Sequence, residues 1–220
     1  ITPFDELPHI ALMTMAFNPV YTKHSVINAH HHIYPDGKIT QVLLHQEPFP
    51  PVVESDSSMH NIVEIDVCGE WAAVWMFKLL AFIKYCKEAG IKYMAFWDED
   101  DVFPPYYLWG AMDSLLVEGR SPKAQISWTS HNLSVKRESI QKIHYDNPIG
   151  NSVGEVSAYS VAASRLRLRH PDGIRASNPH CAVDDVFRQY IMQTATTYDR
   201  KDTKPLRAYM FHRLANTLSD

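Results

Sequence analysis

Short continuous apolar runs alternate along the chain with longer segments in which apolar residues recur every three or four positions, a pattern that predicts strands and helices in turn. Residues 9–17 (HIALMTMAF) read as a first buried strand closed by Asn18-Pro19, residues 39–44 (ITQVLL) as a second and residues 61–67 (NIVEIDV) as a third. Residues 21–34 form a weaker helical segment that ends at Pro35-Asp36-Gly37. There proline presets one φ angle and glycine accepts a positive one. Residues 47–58, with three prolines and several Ser/Asp residues, are expected to be loop. The clearest helix is 71–87, where Val74, Phe77, Leu80, Ala81 and Tyr85 keep helical spacing. After Ala89-Gly90, a helix-stop signal, a fourth strand begins at Tyr93.

The second half has a different texture. A helix is predicted over 106–118 and a strand over 124–130 (AQISWTS), with strand-then-helix character over 131–143. Residues 148–157 are rich in Gly, Asn and Ser and are expected to be mobile. Residues 182–194 read as an amphipathic helix with Val183, Val186, Phe187, Tyr190 and Ile191 on one face. Asp184 and Asp185 fall in its first turn, where the helix dipole favours negative charge. In 165–175 (RLRLRHPDGIR) alternate arginines on a strand put three cations on one face. The order of elements predicts a doubly wound α/β domain.

Composition narrows this picture. A chain of 220 residues with 45% hydrophobic positions suits one globular domain, and no run is long and charge-free enough to span a membrane. Three cysteines, far apart and in no metal-ligand spacing, predict free thiols in a cytoplasmic protein, and no signal-peptide pattern is visible. A formal net charge of -4 argues against a surface built throughout for nucleic acid, while leaving room for a local basic groove.

The stretch 93–108 (YMAFWDEDDVFPPYYL) carries the chemistry. An apolar run of strand length delivers Asp98, Glu99, Asp100 and Asp101 together to its carboxyl end, the edge of an open α/β sheet where ligands bind. Carboxylates so clustered raise one another's pKa, and a hard dication, Mn²⁺ or Mg²⁺, satisfies them together with substrate phosphate oxygens. A solvated acidic turn is the plainer reading of the same residues. Among the histidines, His30, His31 and His32 are consecutive on a helix, diverge by about 100° each, and are expected to form a solvated helix end.

In this ordered set the chain resembles the GT-A glycosyltransferases of the family 2 type, which take a sugar from a nucleotide diphosphate donor. Phe17-Asn18 is similar to that family's tyrosine-asparagine after the first strand, 69–81 to its Gly-rich helix start, and 93–108 to its strand, DxD and proline-leucine run. WTSHNLSVKRESI, Val183-Asp184-Asp185 and HRLANTLS at 212–219 resemble the segments that follow. The resemblance implies a Rossmann-like mixed central sheet flanked by helices, with a nucleotide-sugar half over 1–105 and an acceptor half over 106–220. It also implies donor contacts from Phe17, Asn18, Glu47, Lys78 and Asp98, metal ligation by Asp98, Asp100 and His212, and Asp185 as the general base of an inverting transfer. Glu47 stands near the family's base-reading aspartate pair, where this chain has His45, Gln46 and Glu47, and Lys78 is the nearest substitute for a helix arginine.

The favoured donor is a uridine nucleotide sugar. A hydroxylated base in DNA, as in some virus-encoded relatives of the fold, is one acceptor, gripped through Arg165, Arg167, Arg169 and Arg175. Two other classes fit some of the same residues. In a haloacid dehalogenase-like phosphatase Asp98 would be the nucleophile, with Thr129 or Ser130, Lys136 and the 184–185 pair in later roles. The third class is an inert nucleic-acid-binding module that keeps the fold without the chemistry.

Overall fold

The computed structural model of the chain describes residues 2–45, 60–67, 71–99, 101–117, 123–128, 152–173, 183–199 and 209–210. The elements run β1 (Ile10–Ala16), α1 (Pro19–His30), β2 (Ile39–His45), β3 (Asn61–Asp66), α2 (Trp71–Glu88), β4 (Tyr93–Phe96) and β5 (Asp101–Val102). They continue as α3 (Tyr107–Leu116), β6 (Ile126–Trp128), β7 (Val153–Glu155), α4 (Val156–Arg169), α5 (Val183–Thr194), β8 (Thr197–Asp199) and β9 (Tyr209–Met210). Seven of the described strands form one sheet in the order β3-β2-β1-β4-β7-β6-β8, and β5 pairs with β9 apart from it. Only β7 runs antiparallel to its neighbours in that sheet; its other described pairings are parallel. The expected mixed α/β architecture is therefore present, a mostly parallel sheet flanked by helices and compatible with a Rossmann-like arrangement.

Why β1 and β2 are near-continuous apolar runs follows from their place. Every residue of both is buried, because helices cover both sheet faces. Ala11, Met13 and Met15 of β1 point into a core with Met76, Leu79 and Phe82 of α2, Tyr159 and Ala162 of α4, and Phe187 and Ile191 of α5. Ile10 and Leu12 point the other way, into a core with Ala29 of α1 and Leu108, Ala111 and Met112 of α3. Gln41, a buried polar residue of β2, donates through Nε2 to Thr14 Oγ1 at 2.9 Å and to Ser25 Oγ at 3.0 Å. β3 is the least buried of the first four strands.

Two expectations fail for the same reason: local composition was outweighed by packing. The Gly/Asn/Ser-rich segment expected to be mobile contains β7, which lies in the sheet between β4 and β6. A Cβ on Gly154 would stand 2.7 Å from the Gln125 carbonyl oxygen and from Ile126 Cγ1, so its glycine serves close strand approach. The alternating arginines lie on helix α4, held by the buried face of Ala158, Tyr159, Ala162, Ala163 and Leu166. On a helix Arg165 and Arg169 are one turn apart and Arg167 projects elsewhere, so the three cations do not share a face. Arg175, residues 129–151 and the loop over 47–58 lie outside the described residues. The histidine run is a solvated end only in part: His31 is exposed and His30 half-buried, whereas His32 is buried and its ring meets Trp97 edge-on at 4.7 Å.

Candidate functional site at the carboxyl edge of the sheet

Register brings Ala16, His45 and Asp66 level with one another at the carboxyl ends of β1, β2 and β3. β4 stops short of them, pairing its last residue, Phe96, with Met13. The chain nevertheless stays beside β1. Trp97 N donates to the Met13 carbonyl at 2.9 Å, and Thr14 Oγ1 donates to the Trp97 carbonyl at 2.8 Å. Asp98 and Glu99 thereby arrive next to Phe17 and Asn18.

The acidic turn stands on a fixed base. Trp97 and Phe103, on either side of it, stack with ring centroids 3.9 Å apart. Asn28 of α1 then holds the far side, its Oδ1 accepting from Phe103 N at 2.9 Å and its Nδ2 donating to the Phe103 carbonyl at 3.0 Å. Within the turn, Asp101 N donates to the Asp98 carbonyl at 3.2 Å. Asp98 is half-buried, while Glu99 and Asp101 are 3% exposed.

Glu99, which sequence reasoning passed over in favour of its neighbours, organises the edge. Its Oε2 accepts from Phe17 N at 3.1 Å, Asn18 N at 3.2 Å and Thr22 Oγ1 at 2.7 Å. The three donors offset the desolvation of the buried carboxyl group. Asn18 in turn caps α1, its Oδ1 accepting from Val20 N at 2.9 Å and Tyr21 N at 3.4 Å, with Pro19 at the first helical position. One signal for Glu99 was available: it follows directly on an apolar run of strand length that had to be buried.

On the opposite side of the edge lies Lys78 of α2. It has no solvent exposure, and its Nζ, without a hydrogen-bond acceptor among the described residues, stands over the Phe17 ring at 4.2 Å from the centroid. Burial lowers its pKa to about 8, against the raising influence of the Glu99 charge. Phe17 itself keeps 43% of its surface exposed above that ammonium. Phe17, Asn18, Lys78 and Asp98, four of the predicted donor residues, are thus gathered at one edge. His45 occupies the end of β2, 2% exposed, with Nε2 at 3.3 Å from Glu64 Oε2. Glu47 lies outside the described residues.

α5, which bears Asp185 in its first turn, packs on the same face as α2. Phe187 meets Trp75 edge-on at 5.5 Å and Phe96 at 6.4 Å, and Phe96 is the last residue of β4 before the acidic turn. Asp100 and His212 lie outside the described residues. Among the described residues, no three His, Cys, Asp or Glu side chains come together in a way that holds a metal ion, so of the predicted ligands Asp98 alone is described. No described helix is long and apolar enough to cross a membrane. No protein-family model matches the chain, and no curated protein is significantly similar to it.

Proposed function

We propose that this edge is the donor site of a metal-dependent, inverting glycosyltransferase of the GT-A type that moves a sugar from a nucleotide diphosphate to a hydroxyl acceptor. The observation that carries the reading is the convergence of Phe17, Asn18, Lys78 and the turn beginning at Asp98 on the side of a mostly parallel sheet where ligands bind. The mixed sheet flanked by helices agrees with it. In this reading the exposed ring of Phe17 takes a face of the nucleobase and Asn18 lies against the nucleoside. The Lys78 ammonium offsets the charge of the diphosphate. Asp98, with Asp100 and His212, would hold Mn²⁺ or Mg²⁺, which when bound neutralises charge on the departing diphosphate.

Asp185 is assigned the general base. Its helix is held beside the end of β4 through Phe187, and a carboxylate there accepts the proton of the incoming hydroxyl, a contribution of about 10² to 10⁴ in rate. Attack from that side inverts the anomeric carbon. For an acceptor in DNA, Arg165, Arg167 and Arg169 are exposed along α4 and offer phosphate contacts from more than one side of the helix.

The test is a thermal-shift screen of nucleotide diphosphates and nucleotide sugars with and without Mn²⁺, followed by assay for nucleotide diphosphate released from the sugar donor. Metal-dependent stabilisation by a uridine nucleotide, with slow release of uridine diphosphate, is expected. A flat screen, or release of inorganic phosphate from an aryl phosphate instead, overturns the proposal.

A further inference from the structure

Helix α4 carries three arginines and no acidic residue, in a chain whose formal net charge is -4. Ala158, Tyr159, Ala162, Ala163 and Leu166 form its buried face and leave the opposite face to solvent. On that open face Leu168 is 83% exposed and Val161 48%. Two turns apart, they come within about 20° of one another around the helix axis. Exposed Ser157 and Ser164 complete the stripe, and Ser164 turns its hydroxyl back to the Ser160 carbonyl at 2.8 Å.

The cations bracket this stripe instead of converging. Arg165 stands about 60° to one side of Leu168 and Arg167 about 100° to the other. All three α4 arginines are exposed, and the ion contacts among the described residues, His45 with Glu64 and Lys84 with Glu88, leave them out. A further cation lies on the Arg167 side, where Lys87 of α2 donates to Ser160 Oγ at 2.6 Å.

Such an arrangement fits a bilayer better than a duplex. A nucleic-acid backbone rewards cations that point the same way and gives an exposed leucine nothing to bury. At a membrane surface, aliphatic side chains enter the headgroup boundary while arginine stems on either side carry their guanidinium groups out to lipid phosphates. One exposed apolar residue needs no explanation, but two in line between flanking cations mark a surface that something covers. Because the chain as a whole is negative, an anionic surface attracts it only where positive charge is concentrated, which orients the approach.

We propose that the exposed face of α4 docks on anionic phospholipid bilayers, with Leu168 and Val161 as the inserting side chains and Arg165, Arg167 and Lys87 as headgroup contacts.

The experiment sediments the full chain with vesicles of phosphatidylcholine alone and of phosphatidylcholine mixed with phosphatidylserine, in EDTA. Binding to the mixed vesicles is expected to be about tenfold tighter than to the neutral ones. No binding, or equal binding to both, overturns the proposal. Leu168→Ser is expected to weaken binding about tenfold, and Arg165→Gln combined with Arg167→Gln about thirtyfold. All three substitutions lie on the solvent side of α4, away from its buried face. Vesicle binding undiminished by Leu168→Ser leaves charge alone at work and overturns the insertion. Tighter binding to duplex DNA at equal phosphate concentration, lost with the two arginines and indifferent to Leu168→Ser, gives the face to nucleic acid and overturns the proposal as well. The measurement uses no nucleotide, sugar or metal, so its result is independent of whether the carboxyl edge transfers a sugar.

Discussion

The two sides of the carboxyl edge treat buried charge in opposite ways. On the α1 side the Glu99 carboxylate, 3% exposed, receives two peptide N–H groups and the Thr22 hydroxyl. On the α2 side the Lys78 ammonium, with no exposure, meets an aromatic ring and no acceptor among the described residues. Groups satisfied by the fold hold the fold, whereas a charge left with so little is expensive to keep for stability alone and marks a place where something else binds. The contrast separates the scaffold of the edge from its working surface.

The sharpest way to break the comparison is to remove each charge and ask which sign stability takes. Glu99→Ala strands three donors around a cavity and is expected to destabilise the protein by about 4 kcal/mol in chemical denaturation. Lys78→Met goes the other way, stabilising by about 2 kcal/mol at pH 7 through relief of desolvation, net of the lost cation–ring contact. The sign with pH follows from the lowered pKa, about 8 folded against 10.5 unfolded. Below pH 8 both states carry the proton and the cost of the buried charge is complete. As pH rises from 8 to 10.5 the unfolded state binds more protons, wild type gains stability, and the advantage of Lys78→Met shrinks. Equal signs for the two substitutions would erase the distinction between scaffold and surface.

How legible this was in the sequence depended on whether a residue's role was set by periodicity or by a partner far along the chain. β1, β2 and α2 were readable because burial on two faces demands an unbroken apolar run and burial on one demands helical spacing. The carboxyl-edge position of Asp98 and Glu99 followed from the same run. The division of labour inside that cluster did not. Glu99 differs from Asp98 only in where the chain turns it, and its partners at Phe17, Asn18 and Thr22 lie 77 to 82 residues away. Lys78 was picked out through resemblance to a helix arginine, and the ring beneath which it sits had no local signature. β7 and the arginines of α4 were misread since glycine content and alternation are local, and both were overruled by the neighbours available for packing.

A third, smaller test sets Lys78 beside a base on the α1 side. His32 is buried against Trp97, with Nδ1 donating to the Asn28 carbonyl at 2.8 Å, and burial takes its pKa down to about 4. Unlike the lysine it is neutral at pH 7, so it stays inside at no charge cost. Its folded pKa lies below the unfolded 6.5, so the unfolded state binds the proton first and stability is lost as pH falls from 6.5 towards 4. The loss assigned to His32 is about 1.4 kcal/mol at about pH 5.5. His32→Phe is expected to flatten that part of the stability profile. A profile of unchanged slope in this variant would mean that the histidine titrates as a solvated group and that the α1 side is less closed than Glu99 suggests.

The smallest effect probes the residue that belongs to both sides. Asn18 gives its backbone N–H to Glu99 and its side chain to the first turn of α1, and it is also assigned to the nucleoside. Asn18→Ala removes the cap and is expected to cost about 1 kcal/mol of stability, while Asn18→Ser restores most of it. The hydroxyl of serine reaches the helix N–H groups but is too short to replace the amide's reach into solvent. Stability and ligand response should therefore part company in Asn18→Ser: a melting temperature near wild type, with the stabilisation by uridine nucleotide still diminished. If serine restores both, Asn18 is scaffold alone, and the boundary between the two sides falls between it and Phe17.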